Sequence, residues 1–77
     1  MERVSRREIQ PRAQAALATS PIFELREIRV EQQNGTLLLT GAVSSYYHKQ
    51  LAQEVVLAVC RQCHQDELEL INSIEVP

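Results

Sequence analysis

Apolar positions along the chain change period several times, and each change marks an element. Between residues 11 and 19, Ala13, Ala16 and Leu17 recur at i, i+3, i+4, the stripe of one helix face. Pro11 sits well at the first helical position, where a missing N–H has no partner to lose. The stretch before it, residues 5–10, reads as at most a turn that Pro11 interrupts. Ser20-Pro21 closes the helix, since a residue before proline is pushed out of the α region. The period then drops to two. Residues 27–33 and 36–43 alternate apolar and polar on either side of Asn34-Gly35, the pair that suits a two-residue type I′ turn with positive φ at both positions. That turn sets the register. Gln33 faces Thr36, Gln32 faces Leu37, Val30 faces Leu39 and Ile28 faces Gly41. One side of the hairpin then carries Ile28, Val30, Leu37 and Leu39, and the other Arg29, Glu31, Leu38 and Thr40. A one-residue slip would turn the apolar set to solvent. Gly41 within a strand points to a bulge or to a close approach by a packed helix.

Ser44 or Ser45 supplies an N-cap for a second helix over residues 46–62. On a helical projection Tyr47, Leu51, Val55, Ala58 and Val59 fall on one side with Ala52 beside them, and Gln50, Gln53, Glu54 and Arg61 fall opposite. Leu57 lies on the polar side, as single surface leucines commonly do. One of the two rings of Tyr46-Tyr47 is expected to pack and the other to be exposed, and His48 to be packed or hydrogen-bonded near the helix start. Residues 67–76 alternate again through Leu68, Leu70, Ile74 and Val76, with Asn72 interrupting the apolar row. A strand, a crossover helix and a further strand make a right-handed unit with parallel strands. The expected fold class is α+β: an αββαβ domain with a small three-stranded mixed sheet against two helices.

Length and composition narrow the function. A chain of 77 residues holds one domain, and its aromatic side chains are Phe23, Tyr46 and Tyr47. A core of Leu, Ile, Val and Ala leaves little lining for a deep pocket, which argues against an enzyme. The net charge of -2 gives no global field to attract nucleic acid. The charges are uneven. Arg3, Arg6, Arg7 and Arg12 crowd the start, whereas Asp66, Glu67, Glu69 and Glu75 crowd the end. This divides the chain into a basic segment, residues 1–11, and a domain, residues 12–77. The basic segment is either a solvated surface or a contact for an acidic one, such as anionic lipid. No stretch approaches the ~18 apolar residues that span a bilayer. The arginines are not followed by an apolar run, so the expected location is cytoplasmic as written, and periplasmic or envelope if the domain belongs to a longer exported chain.

One short motif carries chemistry. Cys60-Arg61-Gln62-Cys63-His64 matches C-x-x-C-H, the attachment signature for c-type haem. A second axial ligand is scarce, because His48 lies some fifteen residues back on the same predicted helix, about 22 Å away at 1.5 Å per residue. Zinc would find Cys60, Cys63 and His64 but no evident fourth ligand. A redox dithiol is disfavoured at a helix C-terminus, where the dipole opposes a thiolate. The expectation is two reduced thiols, with no cofactor, no metal and no catalytic residue. No Ser-His-Asp set, phosphate-cradling glycine loop or Gly-x-x-Gly RNA loop is present.

The ordered set Ala16-Leu17, Ser20-Pro21, Asn34-Gly35, Leu37 to Val43 and Leu70-Ile71-Asn72-Ser73-Ile74-Glu75-Val76 resembles the BON domain family. The resemblance runs over residues 12–76. It implies an αββαβ module of the kind found in bacterial envelope and stress-related proteins, which binds a membrane phospholipid surface or a protein partner and has no family-wide catalytic residues. The family often places a Gly-Val pair between the second helix and the last strand. Here Cys60 to Asp66 stand in that connection. The leading expectation is thus a non-enzymatic binding module of unspecified oligomeric state. The alternative is a small metal- or haem-bearing protein using Cys60, Cys63 and His64.

Overall fold

The computed structural model describes residues 6–65 and 67–77. The first helix, α1, spans Ile9–Ala18 and continues from a 3-10 turn at Arg6–Glu8. It therefore starts two residues before Pro11, which does not interrupt it. Pro11 occupies the first turn, where backbone N–H groups lack intrahelical partners in any case. Ile9 is what draws this turn into the helix. Ile9, Ala13 and Leu17 are fully buried at i, i+4, i+8, whereas Ala16 is only partly covered.

After Ser20-Pro21 the chain makes a second 3-10 turn at Phe23–Glu27, so β1 begins at Arg29 and runs to Gln33, later than the alternation implied. Strand β2 is Thr36–Thr40. They pair antiparallel with Gln33 against Thr36, Gln32 against Leu37 and Val30 against Leu39, the register that the turn spacing predicts. The turn itself differs. Asn34 has φ 55°, but Gly35 does not share the positive φ expected of it, and a Cβ there would have open space around it. Gly41 is the glycine that the backbone requires. Its φ is 138°, and a Cβ would sit 3.1 Å from Ile28 Cδ1. The close approach comes from the residue leading into β1, not from a helix.

The second helix, α2, is Tyr46–Gln62, and strand β3 is Glu69–Asn72. The β3 strand pairs parallel with β2, giving a mixed sheet in the order β1-β2-β3, and a bridge between Ala42 and Glu75 extends the parallel pairing. The αββαβ architecture is thus as the sequence implied. The α2 face is rotated from the projected one. Ala52, Val56 and Cys60 form its buried line, with Leu51, Val55 and Val59 packed at the margin. This helix meets the sheet and α1 together, so the line where the three elements converge is the one fully covered, and its neighbours pack at the margin. Ile9, Ala13 and Leu17 from α1 meet this line over Val30, Leu37, Leu39 and Ile74 of the sheet side.

Three polar side chains stitch the layers together. Gln14 on α1 donates through Nε2 to Ile28 O at 2.7 Å and accepts at Oε1 from Val30 N at 2.8 Å. Gln10, one turn earlier, donates to Val30 O at 2.8 Å. On the far side Asn72, which interrupts the apolar row, donates through Nδ2 to Lys49 O (3.1 Å) and Gln53 Oε1 (3.2 Å) of α2 and accepts from Ile74 N at 3.1 Å.

The two glycines make a matched test. Gly41→Ala should lower stability by more than about 1 kcal/mol, because φ is unfavourable for an L residue and the methyl group presses on Ile28. Gly35→Ala should change it little. Thermal midpoints of the two variants measured side by side check both outcomes.

Candidate functional site

The strand register divides the domain into two poles. Arg29 opposes Thr40 at one, and Thr36 opposes Glu69 at the other. The first pole gathers the Phe23–Glu27 turn, the loop into α2 and the residues that follow β3. It is held by one carboxylate. Glu24 Oε1 accepts from Ser44 N at 2.6 Å, and Oε2 accepts from Ser44 Oγ at 2.7 Å. Its Oε2 also lies 2.8 Å from His48 Nδ1. A carboxylate only accepts, so this contact favours a proton on Nδ1. Ser45 is extended at the N-cap, and its Oγ accepts from His48 N at 3.2 Å. The sequence anticipated a cap at Ser44 or Ser45 and a packed or hydrogen-bonded His48. It did not anticipate Glu24, because a contact across twenty residues leaves no local pattern.

The tie places all the aromatic rings of the chain at this pole. Phe23 precedes Glu24, and Tyr46 and Tyr47 form the first turn of α2. Phe23 is 70% exposed, Tyr46 73% and Tyr47 68%. The expected division of Tyr46 and Tyr47 into one packed and one exposed ring does not occur. Ser45 starts the helix so close to the domain's end that both side chains, which lean toward the helix N-terminus, extend past the core. Tyr47 stacks at a tilt on His48, with ring centroids 5.7 Å apart. The Arg26 guanidinium lies 5.9 Å from the centre of the Phe23 ring, and its Nε donates to Ser20 O at 2.8 Å. Tyr46 and Lys49 border an open groove with Ala42, Ile74, Val76 and Pro77.

The opposite pole holds the described part of the basic segment. Arg7 borders an open groove with Gln10, Gln32 and Asn34, and Arg12 pairs with Glu8 at 3.9 Å. Arg3, the side chain of Arg6, and Asp66 lie outside the described residues.

Cys60, Cys63 and His64 are not gathered on one exposed surface. The two cysteines form no disulfide and belong to the buried core, whereas His64 is exposed. Among the described residues no group of three or more His, Cys, Asp or Glu side chains is placed to hold a metal ion. The geometry explains the motif differently. Gln65 N donates to Cys60 O at 2.9 Å and His64 N to Arg61 O at 3.2 Å, the paired bonds of a Schellman C-cap, and His64 takes the left-handed position with φ 57°. The segment terminates α2 and turns the chain toward β3.

These features define a class, a one-sheet α+β module whose recesses are open surface grooves. The family model for the BON domain matches residues 5–61, and the chain belongs to that family. The match takes in α1, the hairpin and most of α2. It begins earlier than the resemblance read from residues 12–76 and ends before Cys63, His64 and β3. No curated protein matches the chain. Among the described residues no helix is long and apolar enough to cross a membrane.

Two predictions follow from this geometry. The Glu24 carboxyl is held below its ordinary range by the Ser44 hydroxyl, then by the Ser44 amide and, against some desolvation, by His48. A depressed folded-state value stabilises the fold above the ordinary carboxylate range, and the contribution is lost as pH falls through the lowered value. Glu24→Gln should lower the thermal midpoint at pH 7, and the gap from the unmodified protein should close as the pH is taken below 4. His64→Gly should raise stability by about 0.5–1 kcal/mol, since glycine takes the left-handed C-cap position without a Cβ penalty. Denaturant titration of that variant measures it.

Proposed function

We propose that this protein is a non-enzymatic binding module that docks on phospholipid membrane surfaces through Phe23, Tyr46 and Tyr47. One observation carries the reading: every aromatic ring of a chain poor in aromatics is exposed, and all are at one pole. A small domain with a thin core gains from burying such rings, so leaving three outside costs it stability unless they are used. Aromatic side chains suit the bilayer interface, with the ring among the acyl chains and the tyrosine hydroxyl at headgroup level. Arg26 stands beside Phe23, and Lys49 borders the Tyr46 groove together with Glu75; on this reading the two cations meet lipid phosphates. Burying half of a ring's 150–250 Å² at about 25 cal/mol per Å² contributes about 2–3 kcal/mol per ring before ordering costs.

Membership of the BON family supports a binding role. On this reading the module works at a membrane face. The described part of the basic segment, with Arg7, lies toward the other pole and adds at most a second, electrostatic contact.

Sedimentation with phosphatidylglycerol vesicles tests the reading. The triple variant Phe23→Ser, Tyr46→Ser, Tyr47→Ser should bind at least about tenfold more weakly, the loss of a single contact worth 1.4 kcal/mol or more. Arg7→Glu should weaken binding less, and mainly at low salt. Equal binding by the triple variant, with its fold intact by circular dichroism, would leave a protein partner as the better candidate.

A further inference from the structure

The two edges of the sheet are treated differently. On the β1 edge the outward Ile28 O, Val30 N and Val30 O are all taken by Gln10 and Gln14. On the β3 edge the inward bonds alternate: Glu69 N reaches Gly35 O at 2.8 Å and Ser73 N reaches Leu39 O at 2.9 Å. The backbone groups of Leu70 and Asn72 therefore point away from β2. Among the described residues no hydrogen bond reaches the Leu70 or Asn72 N–H. The open run ends at Ile74, whose N–H is held by the Asn72 side chain. Beside it Ile71 stands on the helix-free face, paired in register with Leu38 and 44% exposed.

We propose that the β3 edge is a strand-addition site for an extended basic segment of a partner protein. An open edge binds by main-chain hydrogen bonds and draws its specificity from alternate side chains. The flanking charge selects the occupant. Residues 62–77 include Glu67, Glu69 and Glu75 and no Lys or Arg. A second copy of this chain brings the same acids against them. In the antiparallel register that places Ile71 against its own copy, Glu67 falls opposite Glu75, and like charges directly opposite are unfavourable. Acids along an exposed edge oppose self-pairing and admit a strand that carries Lys or Arg. The partner chemistry is a basic residue opposite Glu69 and an apolar one opposite Ile71, two positions apart on one face.

The probe is the acetylated, amidated peptide Lys-Thr-Val-Thr-Lys, with Glu-Thr-Val-Thr-Glu as control. Amide exchange and shift changes are followed by NMR on the whole chain. The basic peptide should slow exchange at the Leu70 and Asn72 amides at least tenfold and leave the aromatic pole unshifted. Glu69→Lys, at an exposed position, should abolish the effect, and Leu70→Pro, which removes an outward N–H, should do so too. Three results would overturn the proposal: no slowing at Leu70 and Asn72, equal slowing by the acidic peptide, or slowing that grows with protein concentration alone, which would assign the edge to a second copy.

Discussion

The sheet of this domain has one apolar face, and the rest of the structure is arranged around covering it. Leu37 and Leu39 of the central strand have no exposed surface, with Val30 on one side and Ile74 on the other. Both helices must lie on that face, because a chain of 77 residues has no third layer to cover the other. The opposite face is left to Arg29, Glu31, Thr40 and Glu69, with Leu38 and Ile71 among them. Placing two helices over three strands also decides which helix positions are central. Ala13 and Ala52 are completely buried because the helices approach each other closely above the sheet.

A core this small is supplemented by hydrogen bonds to otherwise orphaned backbone groups. Each such bond adds a net of about 0.5–1.5 kcal/mol, and leaving a buried group unpaired costs more. Gln10 and Gln14 serve the β1 edge, Asn72 locks β3 to α2, and Glu24 gathers Ser44 and His48. The same bonds set what the surface offers. Glutamines take the outward groups of Ile28 and Val30 on one edge while the other stays open, and the Glu24 tie collects Phe23, Tyr46 and Tyr47 at a single pole. Aromatic pole and structural fastening are thus neighbours, and changes to Glu24 will reach the aromatic pole through Ser44 and His48.

The motif that stood out most in the sequence has a structural origin. Cysteine is small, apolar and readily buried, which suits Cys60 and Cys63 to the line where α2 meets α1. His64 tolerates the left-handed conformation better than most residues, and it ends the helix. A spacing shared with haem proteins follows here from helix geometry and a C-cap. The pattern of three residues cannot distinguish these origins.

What the sequence determined by itself was whatever depends on neighbours along the chain. The order of elements, the hairpin register from Asn34-Gly35, a serine cap at Ser44 or Ser45, the parallel third strand and the family resemblance all follow from spacing, turn chemistry and chain handedness. Tertiary structure decided whatever depends on contacts between distant residues. It moved the start of α1 to Ile9, because burial of that side chain outweighs the signal from Pro11. It rotated the buried line of α2 onto Ala52, Val56 and Cys60, because a projection of one helix cannot show that two elements press on it. It put both tyrosines outside, gave Asn72 its partners on α2, and paired Glu24 with a loop twenty residues away. Local periodicity records which residues share a face. Only the packed fold records what that face meets.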